Sequence, residues 1–141
     1  MSNSATHKGN VLVADDDAVT RRVTKAMLAT LGYRSDAVGN GADALNALGH
    51  CAYAAVLMDC YMPNLDGYAA TAEIRAAERA TGAHIPIIAM TANALEGDRD
   101  KCIEAGMDDY VAKPGTPREL LDASSSQKGR VLARATEASA A

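Results

Sequence analysis

An α/β fold with a doubly wound parallel sheet is predicted for this 141-residue chain. Two observations predict it: short, nearly unbroken apolar runs of the kind that strands buried on both faces require, and amphipathic helical patterns lying between those runs. The runs are Val11-Leu12-Val13, Ala55-Val56-Leu57-Met58, Ile85-Pro86-Ile87-Ile88-Ala89-Met90 and Tyr110-Val111-Ala112. A weaker run from Tyr33 to Val38 alternates more than the others and suits an edge strand.

After the first run, Val19, Val23, Met27 and Leu31 recur every four residues and Gly32 follows as a stop, which predicts a helix facing the sheet. Asn40 is placed to cap a second helix carrying Ala44, Leu45 and Leu48, and Asp66 a third carrying Ala69, Ala70 and Ile74. A fourth helix is expected from about Leu95 to Ala105, closed by Gly106. Thr116-Pro117-Arg118-Glu119 combines a cap residue, a first-turn proline and a reciprocating glutamate, so a fifth helix is expected to start there, losing its apolar stripe after Leu121. Five strands alternating with five helices, joined by right-handed crossovers, give a flavodoxin-like sheet of strand order 2-1-3-4-5.

With 48% hydrophobic and 23% charged residues, the chain supports one core and one domain. That domain is expected over residues 10–123, after a disordered segment 1–9 and before a polar, Ala-rich tail 124–141. A net charge of −4 gives no basic field for neutralising phosphates, so no nucleic acid is expected as a partner. No stretch approaches the roughly 18 apolar residues of a membrane span, and the polar start lacks the apolar centre of a secretion signal. Direct membrane contact by this domain is therefore not expected. Cys51, Cys60 and Cys102 are odd in number and share no Cys-x-x-Cys spacing, which suits a reducing, cytoplasmic setting and argues against a zinc or disulfide framework.

In such sheets, sites form at the carboxyl ends of the strands. There the sequence places Asp15-Asp16-Asp17 after the first strand, Asp59 at the end of the third, Thr91 at the end of the fourth and Lys113-Pro114 after the fifth. An aspartate at a strand end is ordinarily a turn former or helix cap, so the coincidence of four strand ends carries the argument. Two carboxylates about 4 Å apart repel by about 4 kcal/mol at an effective dielectric near 20, and a hard cation is the natural offset. Mg²⁺, which takes one or two carboxylates and leaves other positions to water and phosphate oxygens, fits that donor set. His7, His50 and His84 are away from these ends, which argues against zinc. A carboxylate can accept a phosphoryl group where cations neutralise the gathering charge. Asp59, on the central strand, is best placed to do so, with Lys113 as the ammonium and Thr91 as a hydroxyl donor.

The segments Val11-Leu12-Val13-Ala14-Asp15-Asp16-Asp17, Met58-Asp59-Cys60-Tyr61-Met62-Pro63-Asn64-Leu65-Asp66-Gly67, Met90-Thr91-Ala92 and Lys113-Pro114 resemble the signatures of response-regulator receiver domains. The resemblance implies that Asp59 is the phosphoacceptor. It further implies that Asp15, Asp16 and Asp59 hold Mg²⁺ together with the Tyr61 backbone carbonyl, and that Thr91 and Lys113 bind the phosphoryl group. The implied partners are a sensor histidine kinase or a histidine phosphotransfer domain, with an output partner at the face of helix four, strand five and helix five. Tyr110 matches the aromatic that turns inward during switching, while Tyr61 and Asn93 match positions that tune loss of the phosphoryl group. Asp17 is expected as a helix cap, Cys60 as a bystander thiol and Asp108-Asp109 as a solvated turn.

The implied protein is a switch with slow self-dephosphorylation, not a turnover enzyme. The residues around Asp59 and Thr91 look most like receivers fused to hybrid sensor kinases, so excision from the cytoplasmic portion of a membrane-bound hybrid kinase is preferred over a stand-alone receiver. Gly115, where a bulky apolar residue is common, is a departure that bears on the output face. Two alternatives remain in view. Asp15-Asp16-Asp17-Ala18-Val19 also matches the nucleophile loop of haloacid-dehalogenase-like phosphatases, which would make Asp15 the nucleophile, although Asp108 and Asp109 precede Lys113 instead of following it. A pseudo-receiver acting without phosphorylation is the other. A flavin carrier of the same fold is disfavoured because three aspartates would repel its phosphate.

Overall fold

The computed structural model describes residues 9–60, 62, 65–91 and 96–112. Nine elements alternate along this span: β1 (Asn10–Ala14), α1 (Ala18–Leu31), β2 (Arg34–Val38), α2 (Gly41–His50), β3 (Ala55–Asp59), α3 (Gly67–Glu78), β4 (Ile87–Thr91), α4 (Glu96–Ala105) and β5 (Asp109–Ala112). The strands form one parallel sheet in the order β2-β1-β3-β4-β5, as the alternating pattern predicts. The expected fifth helix from Thr116, segment 1–8 and the tail 124–141 lie outside the described residues.

Alternation along the strands divides the core into two layers. Leu12, Ala14, Val56, Met58, Ile87 and Ala89 point to one face, where they pack with Ala44 of α2, Ala70 and Ile74 of α3 and Cys102 of α4. Val11, Val13, Leu57, Ile88, Met90 and Val111 point to the other, where Met27 and Leu28 of α1 meet them. Burying each of the larger side chains contributes about 1.5–3 kcal/mol. The edge strand β2 carries no fully buried residue, in keeping with its polar residues Arg34, Ser35 and Asp36.

Three of the expected caps form. Asp17 accepts from the Val19 amide and from the Thr20 hydroxyl, Asn40 from the Asp43 amide and Asp66 from the Ala69 amide. Gly32, at φ 96°, ends α1 in the left-handed region that glycine enters without steric cost.

Three details differ from the sequence reading. The buried face of α1 is Thr24, Met27 and Leu28, while Val19 is 68% exposed. A strict four-residue repeat advances about 400° per step on a helix of 3.6 residues per turn, so its members drift off the core face. The fourth strand begins at Ile87 and not Ile85, because the Ile85 amide donates to Glu78 Oε2 instead of entering the sheet. Asp108 is not a merely solvated turn. Its Oδ2 accepts from the Arg75 guanidinium at 2.8 Å and from the Ile87 amide at 2.8 Å, and its Oδ1 meets His84 Nε2 at 2.6 Å. Arg75 also reaches the carbonyls of Gly106 and Ile85 and the carboxylate of Glu78, tying α3 to the entrances of β4 and β5.

Candidate metal and phosphoryl site

Parallel pairing sets the geometry of the site before any side chain is considered. Ala14 is in register with Met58, so the residues that follow them, Asp15 and Asp59, emerge side by side at the carboxyl edge. Asp59 is in register with Met90, which puts Thr91, the last residue of β4, at the adjoining position of the next strand. Asp15, Asp16 and Asp59 each offer a carboxylate oxygen, and the three oxygens lie within 4.8 Å of one another. Asp15 is fully buried and Asp59 is 3% exposed, whereas Asp16 is exposed and opens the cluster to solvent.

The local fold holds the Asp15 carboxylate and packs closely behind the end of β3. The Asp15 amide extends the ladder by donating to the Val38 carbonyl at 3.1 Å, and Asp15 Oδ1 accepts from the Asp17 amide at 2.9 Å. The Arg21 guanidinium donates to the Asp15 backbone carbonyl at 2.6 Å, a contact that the spacing of charges did not foretell. Behind Asp59 the chain returns so closely that a Cβ at Gly67 would lie 2.2 Å from the Asp59 carbonyl oxygen, and the Gly67 amide donates to the Cys60 carbonyl. Gly67 thus has a steric reason: only glycine fits against the end of β3.

Two buried carboxylates beside a third are costly without a cation, and an all-oxygen donor set favours a hard divalent ion. The chemistry of the donor set therefore fits Mg²⁺. Of the other residues expected at the site, Tyr61 and Lys113 lie outside the described residues, as does Asn93. Tyr110 is half-buried against the α2–α4 side of the core.

Cys60, adjacent to Asp59, is 1% exposed, and burial chiefly pushes its thiol up from 9.0 to about 12. A thiol so held stays protonated at neutral pH and is a poor nucleophile, as the sequence reading expected. The structure adds what spacing could not: Cys102 of α4 sits with its Sγ 4.0 Å from that of Cys60.

The family model described as the response regulator receiver domain matches residues 11–125. The chain belongs to that family. Its receiver domain is 39% identical over 122 residues to hybrid signal transduction histidine kinase I of Dictyostelium discoideum, a match covering 83% of this chain and 7% of that protein. It is 42% identical over 106 residues to sensor histidine kinase RcsC of Salmonella typhimurium, covering 75% of this chain and 11% of that protein. The receiver domain thus spans only 7% and 11% of these curated relatives' lengths.

Among solved structures it is similar to the receiver domain of sensor histidine kinase PA1611 from Pseudomonas aeruginosa PAO1, which has a magnesium ion coordinated in its active site cleft. Identity to that domain is 45% and the TM-score 0.73, over 92% of this chain and 98% of that one. It is also similar to the complex of the Saccharomyces cerevisiae histidine phosphotransfer protein Ypd1 with the receiver domain of Ssk1. There the identity is 27% and the TM-score 0.71, over 79% of this chain and 83% of that one. Among the described residues, no helix is long and apolar enough to cross a membrane.

Proposed function

We propose that this receiver domain, spanning 10–123, is the phosphoacceptor of a two-component phosphorelay, with Asp59 taking a phosphoryl group from a phosphohistidine. The observation that carries the reading is the convergence of Asp15, Asp16 and Asp59 within 4.8 Å at the carboxyl edge of the sheet. An Asp59 carboxylate oxygen attacks phosphorus, the phosphorus–nitrogen bond breaks, and the donor imidazole leaves with the electron pair. Asp15, Asp16 and Asp59, with the Tyr61 backbone carbonyl, are the groups that would hold Mg²⁺, which when bound supplies electrostatic stabilisation of the transferred oxygens. The Thr91 hydroxyl donates to a phosphoryl oxygen and the Lys113 ammonium neutralises another. The donor is a sensor histidine kinase or a histidine phosphotransfer domain, a pairing supported by the Ypd1–Ssk1 complex and by the hybrid kinases among the relatives.

Phosphorylation biases a two-state surface formed by α4, β5 and the helix expected after β5, through which an output partner is engaged. The domain is a switch that loses its phosphoryl group slowly and does not turn over a substrate. It works in the cytoplasm, as part of a hybrid kinase of the kind its relatives represent. Incubation with acetyl phosphate and Mg²⁺ is expected to phosphorylate the wild-type chain, while Asp59→Asn abolishes uptake and keeps the wild-type circular dichroism spectrum. Undiminished uptake by a folded Asp59→Asn variant would overturn the assignment.

A further inference from the structure

Cys60 and Cys102 are 42 positions apart in sequence, yet their sulfurs are 4.0 Å apart in the core. Both are buried, at 1% and 0% exposure. Cys60 is anchored in the body of the sheet: its amide donates to the Met90 carbonyl and its carbonyl accepts from the Gly67 amide. Cys102 is different in kind. From Asp100 to Ala105 it is the one fully buried residue of α4, with Lys101, Ile103 and Glu104 exposed around it. The thiol pair is therefore a contact between this stretch of α4 and the residue that follows Asp59, while the Lys101 ammonium, 5.4 Å from the centre of the Tyr68 ring, joins α4 to α3.

We propose that Cys60 and Cys102 form a redox staple, closed to a disulfide by a hydroperoxide, that clamps α4 against the segment carrying Asp59 and opposes switching. One cysteine thiolate attacks a peroxide oxygen and breaks the O–O bond, giving a sulfenic acid and releasing an alcohol or water. The second sulfur displaces water from the sulfenic sulfur to form the S–S bond. Two thiols and one hydroperoxide thus become one disulfide, one alcohol and one water. The two sulfurs are oxidised by two electrons, the peroxide is reduced, and a thiol reductant reverses the change. Forming the bond brings the sulfurs from 4.0 Å to about 2.05 Å.

Burial controls the rate. With both thiols hidden, oxidation proceeds through conformers in which α4 lifts from the body, so the staple samples the mobility of this helix. Its effect on signalling rests on the receiver reading; formation of the disulfide does not.

The test uses the full chain bearing Cys51→Ser, which removes the exposed thiol. After hydrogen peroxide treatment the protein is unfolded, alkylated and digested, and the peptides are weighed. The expected product is a Cys60–Cys102 cross-linked pair, lighter by two hydrogens than its components and separated by dithiothreitol. Hydrogen exchange across α4 is then compared with and without acetyl phosphate and Mg²⁺. The reduced protein is expected to show a phosphorylation-dependent change there, and the cross-linked protein to lose most of it. Recovery of both cysteines alkylated as in the untreated control, or oxidation to sulfinic acids without a cross-link, would overturn the staple. An equal α4 response in linked and reduced protein would overturn its opposition to switching. A reduced protein that takes up no phosphoryl group would overturn the receiver reading and the coupling, leaving the cross-link to be judged by mass alone.

Discussion

At the scale of single residues, Cys60 shows how position fixes chemistry. The thiol lies beside the strand end that carries Asp59, and burial chiefly lifts it from 9.0 to about 12. A raised folded value means that the protonated form is favoured in the fold. This contribution to stability is fully present below pH 9.0 and is lost as pH rises toward about 12. While only the unfolded thiol is ionised, the loss approaches about 1.4 kcal/mol per pH unit. Urea titrations from pH 8 to 11 are expected to show a steeper alkaline decline for the wild type than for Cys60→Ala, and identical slopes would contradict the assignment. Tyr53, lifted from 10.0 to about 12 by burial and by its bond to Asp36, contributes to the same decline in both proteins and cancels in the comparison. The gathering of Asp15 and Asp59 was legible at this scale because strand ends are fixed by apolar runs, and both residues sit directly at those ends. The proximity of Cys102 was not, since a contact between a strand end and a helix 42 positions later leaves no local signature.

Among the elements, caps and strands were easiest to read. Asp17, Asn40 and Asp66 act through bonds to amides two or three residues on, so their roles are written in local sequence. The buried face of α1 was harder, because the valines at 19 and 23 satisfied a four-residue repeat that the true helical period does not follow. The role of Asp108 was hidden for a different reason: its partner Arg75 lies 33 positions earlier, on α3. That arginine is 13% exposed and bridges two carboxylates and two carbonyls. Arg75→Ala strands the Asp108 and Glu78 carboxylates beside the entrances of β4 and β5, and is expected to cost about 2–4 kcal/mol. Arg75→Lys recovers only part of this, since an ammonium lacks the planar fork that reaches these partners together. Chemical denaturation checks both, and a loss below about 1 kcal/mol for the alanine variant would mean that the network adds little.

For the whole molecule, the proposed Mg²⁺ site predicts that stability is coupled to divalent cations. Mg²⁺ held as proposed would relieve carboxylate repulsion only where the fold gathers Asp15, Asp16 and Asp59, and so would bind the native state in preference to the unfolded chain. At ten times its dissociation constant it is expected to stabilise the domain by about 1.4 kcal/mol, raising Tm by about 5 °C. Asp16→Ala is expected to abolish most of that rise, and an unchanged Mg²⁺ response in a melting scan would contradict the ligand set. The sheet order was legible because parallel strands buried on both faces admit few right-handed connections, and the carboxyl-edge rule brings Asp15 and Asp16 beside Asp59 from a separate segment. Of the gathered carboxylates, that of Asp59 is the one proposed to react. Borohydride trapping of the phosphorylated chain, followed by peptide mapping, converts the acyl phosphate to a stable alcohol at the residue that carried it. The account predicts the reduced residue at 59; label at position 15 instead would contradict it and transfer the nucleophile to the first strand.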